Sequence, residues 1–190
     1  MKKTVLKFGL ISGAIMAGLM LATLPFVNQI GFDYGMVVGY TTMLLAFVMI
    51  FVGIRSYRDA VLNGYISFKR GLAVGLLITL ISTLCYVITW EFVYYNFLPD
   101  FADQYANHLT QKMQNSGATS EQIAQKTEEI KQMKVILENP IYNGLIAFTE
   151  PLPVGLVISL LSAWILRRKP KDSEAQDQLG GETAPASSRV

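Results

Sequence analysis

From Leu72 to Trp90 the chain carries no charge at all, and the first carboxylate after that run, Glu91, stands among aromatic residues. The whole stretch from Gly71 to Tyr95 reads GLAVGLLITLISTLCYVITWEFVYY. About 20 apolar residues are enough for a helix to cross ~30 Å of hydrocarbon. A core helix of a soluble protein would show a polar stripe along that length; here Ser, Thr and Gly are almost the only interruptions. The stretch therefore predicts a transmembrane helix with an acidic residue at one end. Every other segment has to be compatible with a bilayer.

Three further apolar runs meet that demand. MKKTVLKFGLISGAIMAGLMLATLPF places Lys2, Lys3 and Lys7 before an apolar run that ends near Pro25. A secretory signal peptide shares this basic start. However, Phe8 to Leu24 is long for its apolar region, and no small-residue cleavage site follows, so an uncleaved helix is expected. After a polar turn expected at Asn28–Tyr34, Gly35 to Ile54 forms the second run. The last lies between Ile141 and Leu166, interrupted by Glu150-Pro-Leu-Pro153. Prolines suit the first turn of a helix, where their missing N–H costs nothing. A regular helix is accordingly expected from Pro151, with Ile141–Thr149 as an apolar interfacial segment. The spans predicted are about 5–25, 35–54, 71–95 and 147–166. Small residues recur at four-residue spacing in all of them: Gly9, Gly13 and Ala17; Gly35 and Gly39; Gly71, Gly75, Thr79 and Thr83; Gly155, Ser159 and Ala163. Such stripes let helices approach closely.

Between the third and fourth runs, residues 99–139 are composed like a water-soluble segment. Phe101, Tyr105, Leu109 and Met113 fall on one helical face, and Asn115-Ser-Gly117 ends it. Thr119-Ser-Glu-Gln122 opens a second helix with a capping-box pattern, and Ile123, Thr127, Ile130, Lys134 and Leu137 make its stripe. A helical hairpin is expected, its stripes packed on each other or on the membrane surface. Residues 170–190 lack aromatics and periodicity and are expected to be a disordered tail.

The fold class is therefore all-α: a polytopic membrane protein, four transmembrane helices in a bundle, with an extracytoplasmic helical hairpin between helices 3 and 4. Arg55, Arg58, Lys69 and Arg70 flank the short loop between runs two and three, and Arg167, Arg168, Lys169 and Lys171 follow run four. Short basic loops stay in the cytoplasm, which puts both termini on that side and the hairpin outside.

Four segments carry a resemblance to a known family: GIRSYRD (Gly53–Asp59), GYISF (Gly64–Phe68), YVITWE (Tyr86–Glu91) and TEPLPVG (Thr149–Gly155). Together they resemble a bacterial family, mainly from Bacteroidetes, catalogued as domain of unknown function 4199. The resemblance runs up to Lys169. It implies a four-span protein of the bacterial inner membrane and brings no activity with it.

The residues exclude much chemistry. Net charge is +2, which gives no general attraction to nucleic acid. Cys85 and His108 are the only cysteine and histidine, so one chain cannot assemble a zinc site from them; no metal and no cofactor are expected. No Ser-His-Asp set, HExxH or phosphate-binding loop is present, and an enzyme is not expected. Tyr86, Trp90, Tyr94 and Tyr95 read as interfacial anchors. Glu91 and Glu150 are the candidate intramembrane carboxylate site, because ionisable residues at membrane depth are rare and often functional. On antiparallel helices they are expected to share a depth near the outer boundary. Arg55 and Arg58 are candidate contacts for anionic lipid headgroups, with Arg55 and Asp59 placed for an i,i+4 pair. His108 reads as a solvated helix residue. The leading functional expectation is a non-enzymatic accessory or structural subunit that meets a membrane-protein partner, or a second copy, through its outer hairpin. The rival is a small oligomeric cation- or proton-linked transporter or channel using Glu91 and Glu150.

Overall fold

The computed structural model describes residues 1–117 and 119–168. The expected tail at 170–190, with Lys169 and Lys171, lies outside the described residues. Seven helices follow in order: α1 (Lys2–Thr23), α2 (Val27–Val61), α3 (Phe68–Phe97), α4 (Phe101–Asn115), α5 (Ser120–Glu138), α6 (Pro140–Thr149) and α7 (Pro151–Leu166). The protein is all-α, and three continuous helical stretches are long and apolar enough to cross a membrane: Lys2–Val61, Phe68–Phe97 and Pro140–Leu166.

The first stretch is one unit because no loop parts α1 from α2. The expected turn at Asn28–Tyr34 is a break inside α2 at Gly31, preceded by a 3-10 turn at Leu24–Phe26 that holds Pro25. Gly31 has φ 63°, a left-handed value that glycine adopts without a Cβ clash. Here the chain doubles back. Ser12 Oγ donates to the carbonyl of Ala46 at 2.9 Å, and Phe8 lies against Gly53, so α1 and α2 run antiparallel.

Helix α3 runs parallel to α1, with Gly9 against Ile81 and Gly13 against Cys85. Helix α7 runs antiparallel to α3: Gly71 meets Ala163, Gly75 meets Ser159, and Thr79 meets Gly155. A Cβ at Gly75 would stand 2.7 Å from Ser159 Oγ, closer than real contacts come. The core built by this close approach includes Phe47, Ile50, Ile54, Val74 and Ile78, all fully buried. It belongs to the end of the bundle where Lys2, Lys3, Lys7, Lys69 and Arg70 stand, called here the basic end.

The segment expected to be interfacial, Ile141–Thr149, is a regular helix running into α7. Asn139 caps it through Ile141 N–H, and Pro140 occupies its first turn. Buried Asn143 holds it against α3: its Oδ1 accepts from Trp90 Nε1 at 2.8 Å, and its Nδ2 donates to the carbonyl of Leu137 at 3.2 Å. A buried side-chain amide satisfied on both sides fixes a contact that an apolar segment at an interface would leave free.

Helices α4 and α5 form the hairpin. Gly117, at φ 76°, ends the first, and the capping box of Thr119 and Gln122 closes reciprocally to start the second. Lys134 pairs with Asp103 at 2.6 Å across the two helices, and this hydrogen bond holds the lysine above its ordinary pKa. The hairpin also rests on the bundle. Phe32, at the bend of α2, packs on Phe101 (ring centroids 5.6 Å apart) and Tyr105, and Lys112 pairs with Asp33 at 2.6 Å.

Candidate functional site

Arg55 and Arg58 separate in the structure. Arg55 is exposed, and its Nε lies 3.7 Å from Asp59, the expected i,i+4 pair. Arg58 is buried, which removes it as a headgroup contact. Its Nε and Nη2 donate to the two carboxylate oxygens of Asp59 at 2.7 and 3.2 Å, and its Nη1 donates to the carbonyl of Leu166 at 3.4 Å. That carbonyl is at the last turn of α7, where no intrahelical donor remains. The guanidinium therefore caps α7, and it also holds Asp59 below the usual carboxylate range. The next backbone link is close by: Arg168 N–H donates to the carbonyl of buried Ile66 at 3.0 Å. The loop between α2 and α3 is thereby tied to the exit of α7.

Glu91 and Glu150 do not share a depth. The register of α3 on α7, with Gly71 on Ala163 and Gly75 on Ser159, sets Glu91 level with Asn143 and Glu150 level with Leu84. Seven residues separate those levels, ~10 Å at the rise of an α-helix. Glu91 lies beside Gly144 and Val87, and its enclosed Oε1 has no hydrogen-bond partner among the described residues. Glu150 instead accepts from Tyr86 Oη at 2.7 Å. The expected pair thus becomes two separate carboxylates, because α6 continues α7 as a packed helix and carries the register onward.

Glu150 occupies the face of α7 that also carries Val154 and Ile158, both packed against the core. Its partner Tyr86 packs on the same core. The side chain is nevertheless exposed. Tyr40 of α2 stands on the side of Tyr86. Past Tyr40 toward the bend, α2 buries nothing, and Gly35 and Gly39 face no atom within 4 Å of where a Cβ would stand. Between α3 and α7 lies a separate apolar groove of about 540 Å³, bordered by Leu76, Leu80, Leu152 and Leu156.

A match to a protein-family model covers residues 7–168, which hold all of these groups. The chain belongs to the family described as protein of unknown function (DUF4199). No protein with a curated description and no solved structure matches it. In this DUF4199 member nothing in the sequence marks Asn143, and composition alone reads Tyr86 and Trp90 as interfacial anchors. Both aromatic residues donate inward, to Glu150 and to Asn143. The signal available was helical spacing: Tyr86 is seven residues after Thr79, on the side of α3 that meets α7. His108 lies by Asp33, with Nε2 3.5 Å from the carboxylate and the ring against Phe32. Its position in the fold is at the seam between hairpin and bundle.

Proposed function

We propose that this multi-pass membrane protein crosses the bacterial inner membrane four times. In this reading both termini and the basic end are cytoplasmic, and α4–α5 is outside. The antiparallel packing of α1 on α2 supports two crossings within Lys2–Val61. The positive charge supports the orientation: Lys2, Lys3, Lys7, Arg55, Lys69, Arg70, Arg167 and Arg168 all belong to one end. Arg55 and these neighbours are suited to anionic headgroups of that leaflet, with Arg58 excluded by its burial.

The role proposed is non-enzymatic: an accessory or structural subunit that holds its outer hairpin for a membrane-protein partner. One observation carries it. The hairpin is tied to the bundle through Phe32, Asp33 and the carbonyl of Leu137, yet α5 still presents Met133, Val135 and Ile136, which are 45%, 67% and 43% exposed. Exposed apolar side chains on a fixed element outside the spans suit a docking face. A photo-crosslinking residue at position 135, compared with one at the exposed polar position 104 of α4, tests this in intact cells. A single adduct of defined mass from 135 alone supports the reading, and its mass separates a second copy from another protein. Equal or absent adducts overturn it. Orientation is tested by single cysteines at Gln114 and Ser187 in a Cys85→Ser background. An impermeant thiol reagent on spheroplasts should label 114 and spare 187, and the opposite pattern inverts the topology. A second reading, an oligomeric cation- or proton-linked transporter or channel, draws on Glu150 and its inward face.

A further inference from the structure

The seam between α3 and α7 has two flanks. Val74 and Ile78 of α3, with Val154 and Ile158 of α7, turn toward the core. Two residues along a helix amount to about 200° of rotation. Leu76, Leu80, Leu152 and Leu156 therefore stand on the flank away from that core. They border the groove of about 540 Å³, which Thr79 also lines, where Gly155 lets the two helices approach. Leu76, Leu80 and Leu156 stay exposed.

One end of this apolar groove is topped by positive charge. On α7 the leucine line continues through Leu160 to Trp164, and the Arg167 guanidinium lies over that indole, 5.8 Å from its centroid. Both side chains are exposed. On α3 exposed Lys69 precedes Leu76 by seven residues, two helical turns, and so stands above it on one line. Gly71 meets Ala163, which sets Lys69 level with Ile165 and Arg167 level with Ser67. The two cations thus top the groove within one helical turn of each other. Arg55 and Arg58 share Asp59, and Lys69 and Arg167 have no ion pair among the described residues.

Arg167 is eleven residues beyond Leu156, ~16 Å at the rise of an α-helix. One leaflet supplies half of a hydrocarbon core ~30 Å thick, or ~15 Å. A phosphate takes two parallel N–H bonds from a guanidinium. Tryptophan is at home at headgroup level. A partner helix would cover the leucines equally well, but it would leave the two cations at their end unanswered. Charge decides between the occupants. We infer that the α3–α7 groove binds one anionic phospholipid, its phosphate held by Arg167 and Lys69 and one acyl chain lying along Leu160, Leu156 and Leu80. The site rests on the reading that the basic end lies at a membrane surface; it does not depend on which leaflet that is, or on the hairpin's partner.

Native mass spectrometry of the full chain in mild detergent tests the site, using phosphatidylglycerol and phosphatidylethanolamine with matched chains. One phosphatidylglycerol should bind saturably and stay bound at collision energies that strip phosphatidylethanolamine. Glycerol phosphate, a headgroup without chains, should not bind at the same concentrations. Arg167→Gln should weaken the first phosphatidylglycerol several-fold and Lys69→Gln somewhat less. Arg55→Gln should leave it unchanged, because Arg55 is paired with Asp59 on α2. Leu156→Trp should weaken it by filling the groove, and Leu80→Trp gives the same test where that variant does not fold. Equal retention of the two lipids overturns the inference. So does a loss in Arg55→Gln as large as in Arg167→Gln, the mark of diffuse attraction to the basic end. Glycerol phosphate binding that the groove variants leave unchanged would reduce the site to an anion site, and a dimer that phosphatidylglycerol fails to displace would put a second copy in the groove; either refutes the lipid. Cysteine labelling reports the crossings separately. Lost lipid selectivity with the expected labelling refutes the site alone, whereas inverted labelling with selectivity intact refutes the orientation and supports the site.

Discussion

The two ends of the bundle use the same small residues in opposite ways. Toward the basic end, Gly9, Gly13, Gly53 and Gly75 each stand where a Cβ would collide with a neighbouring helix. So does Gly155, against Thr79. Toward the hairpin end, Gly18, Gly35 and Gly39 have the same four-residue spacing on equally apolar helices and touch nothing within 4 Å. Burial follows the division: α1 is buried from Val5 to Met16, and α2 only from Met43 onward. A small-residue stripe is permission for close packing, and a second helix has to arrive at the same level to use it. At the basic end, one arrives because the chain is clamped there. Arg58 caps α7, and Arg168 pairs with Ile66. At the other end the hairpin holds only the bend of α2, through Phe32 and Asp33.

The sharpest way to break this contrast is a glycine exchange in each half. Gly155→Ala should destabilise the protein by ~1–3 kcal/mol, the usual cost of forcing a methyl group into a packed site. Gly39→Ala should be neutral or stabilise slightly, since alanine is the better helix former and space is free. Reversible unfolding in mixed micelles measures both. Equal losses would mean that the far half is packed after all.

Arg58→Ala should come next, at ~1–3 kcal/mol, because it strips the donor from the Leu166 carbonyl inside a buried contact. Arg55→Ala, which removes an exposed pair, should cost less than ~0.5 kcal/mol. Hydrogen exchange of the last turn of α7 should speed up in the first variant and not in the second. The reverse order would restore Arg58 to the membrane surface.

The smallest effect concerns pH at the hairpin seam. The hydrogen bond from Lys112 holds Asp33 below its ordinary value of 3.8. A folded-state value depressed in this way contributes stability above the unfolded value and loses it as pH falls through the folded one. The hold of α4 on α2 should therefore be constant from neutral pH down to about 4 and weaken only below that. Hydrogen exchange of α4 amides would show it, and Asp33→Asn should remove the dependence. Loosening that persists unchanged in Asp33→Asn would overturn this account of the seam.

Periodicity and turn chemistry carried much of this protein in the open. The stripes of α4 and α5 are the less exposed faces, and the capping box at Thr119 is formed as its residues predict. These features are local: spacing along one helix decides which face is apolar, and a cap needs only its own first turn. The all-α class and the membrane character were legible for the same reason, since length and lack of charge are properties of a segment by itself. The tertiary structure decided what depends on partners distant in sequence. Arg58 and Arg55 look alike in the chain, and only the arrival of Leu166 buries one of them. Asn143 docks an expected interfacial stretch on α3 by finding Trp90, and on the end of α5 through Leu137. The depth of Glu150 follows from register, because an antiparallel helix pair fixes levels through whichever glycines meet, and no pattern within either helix encodes that choice.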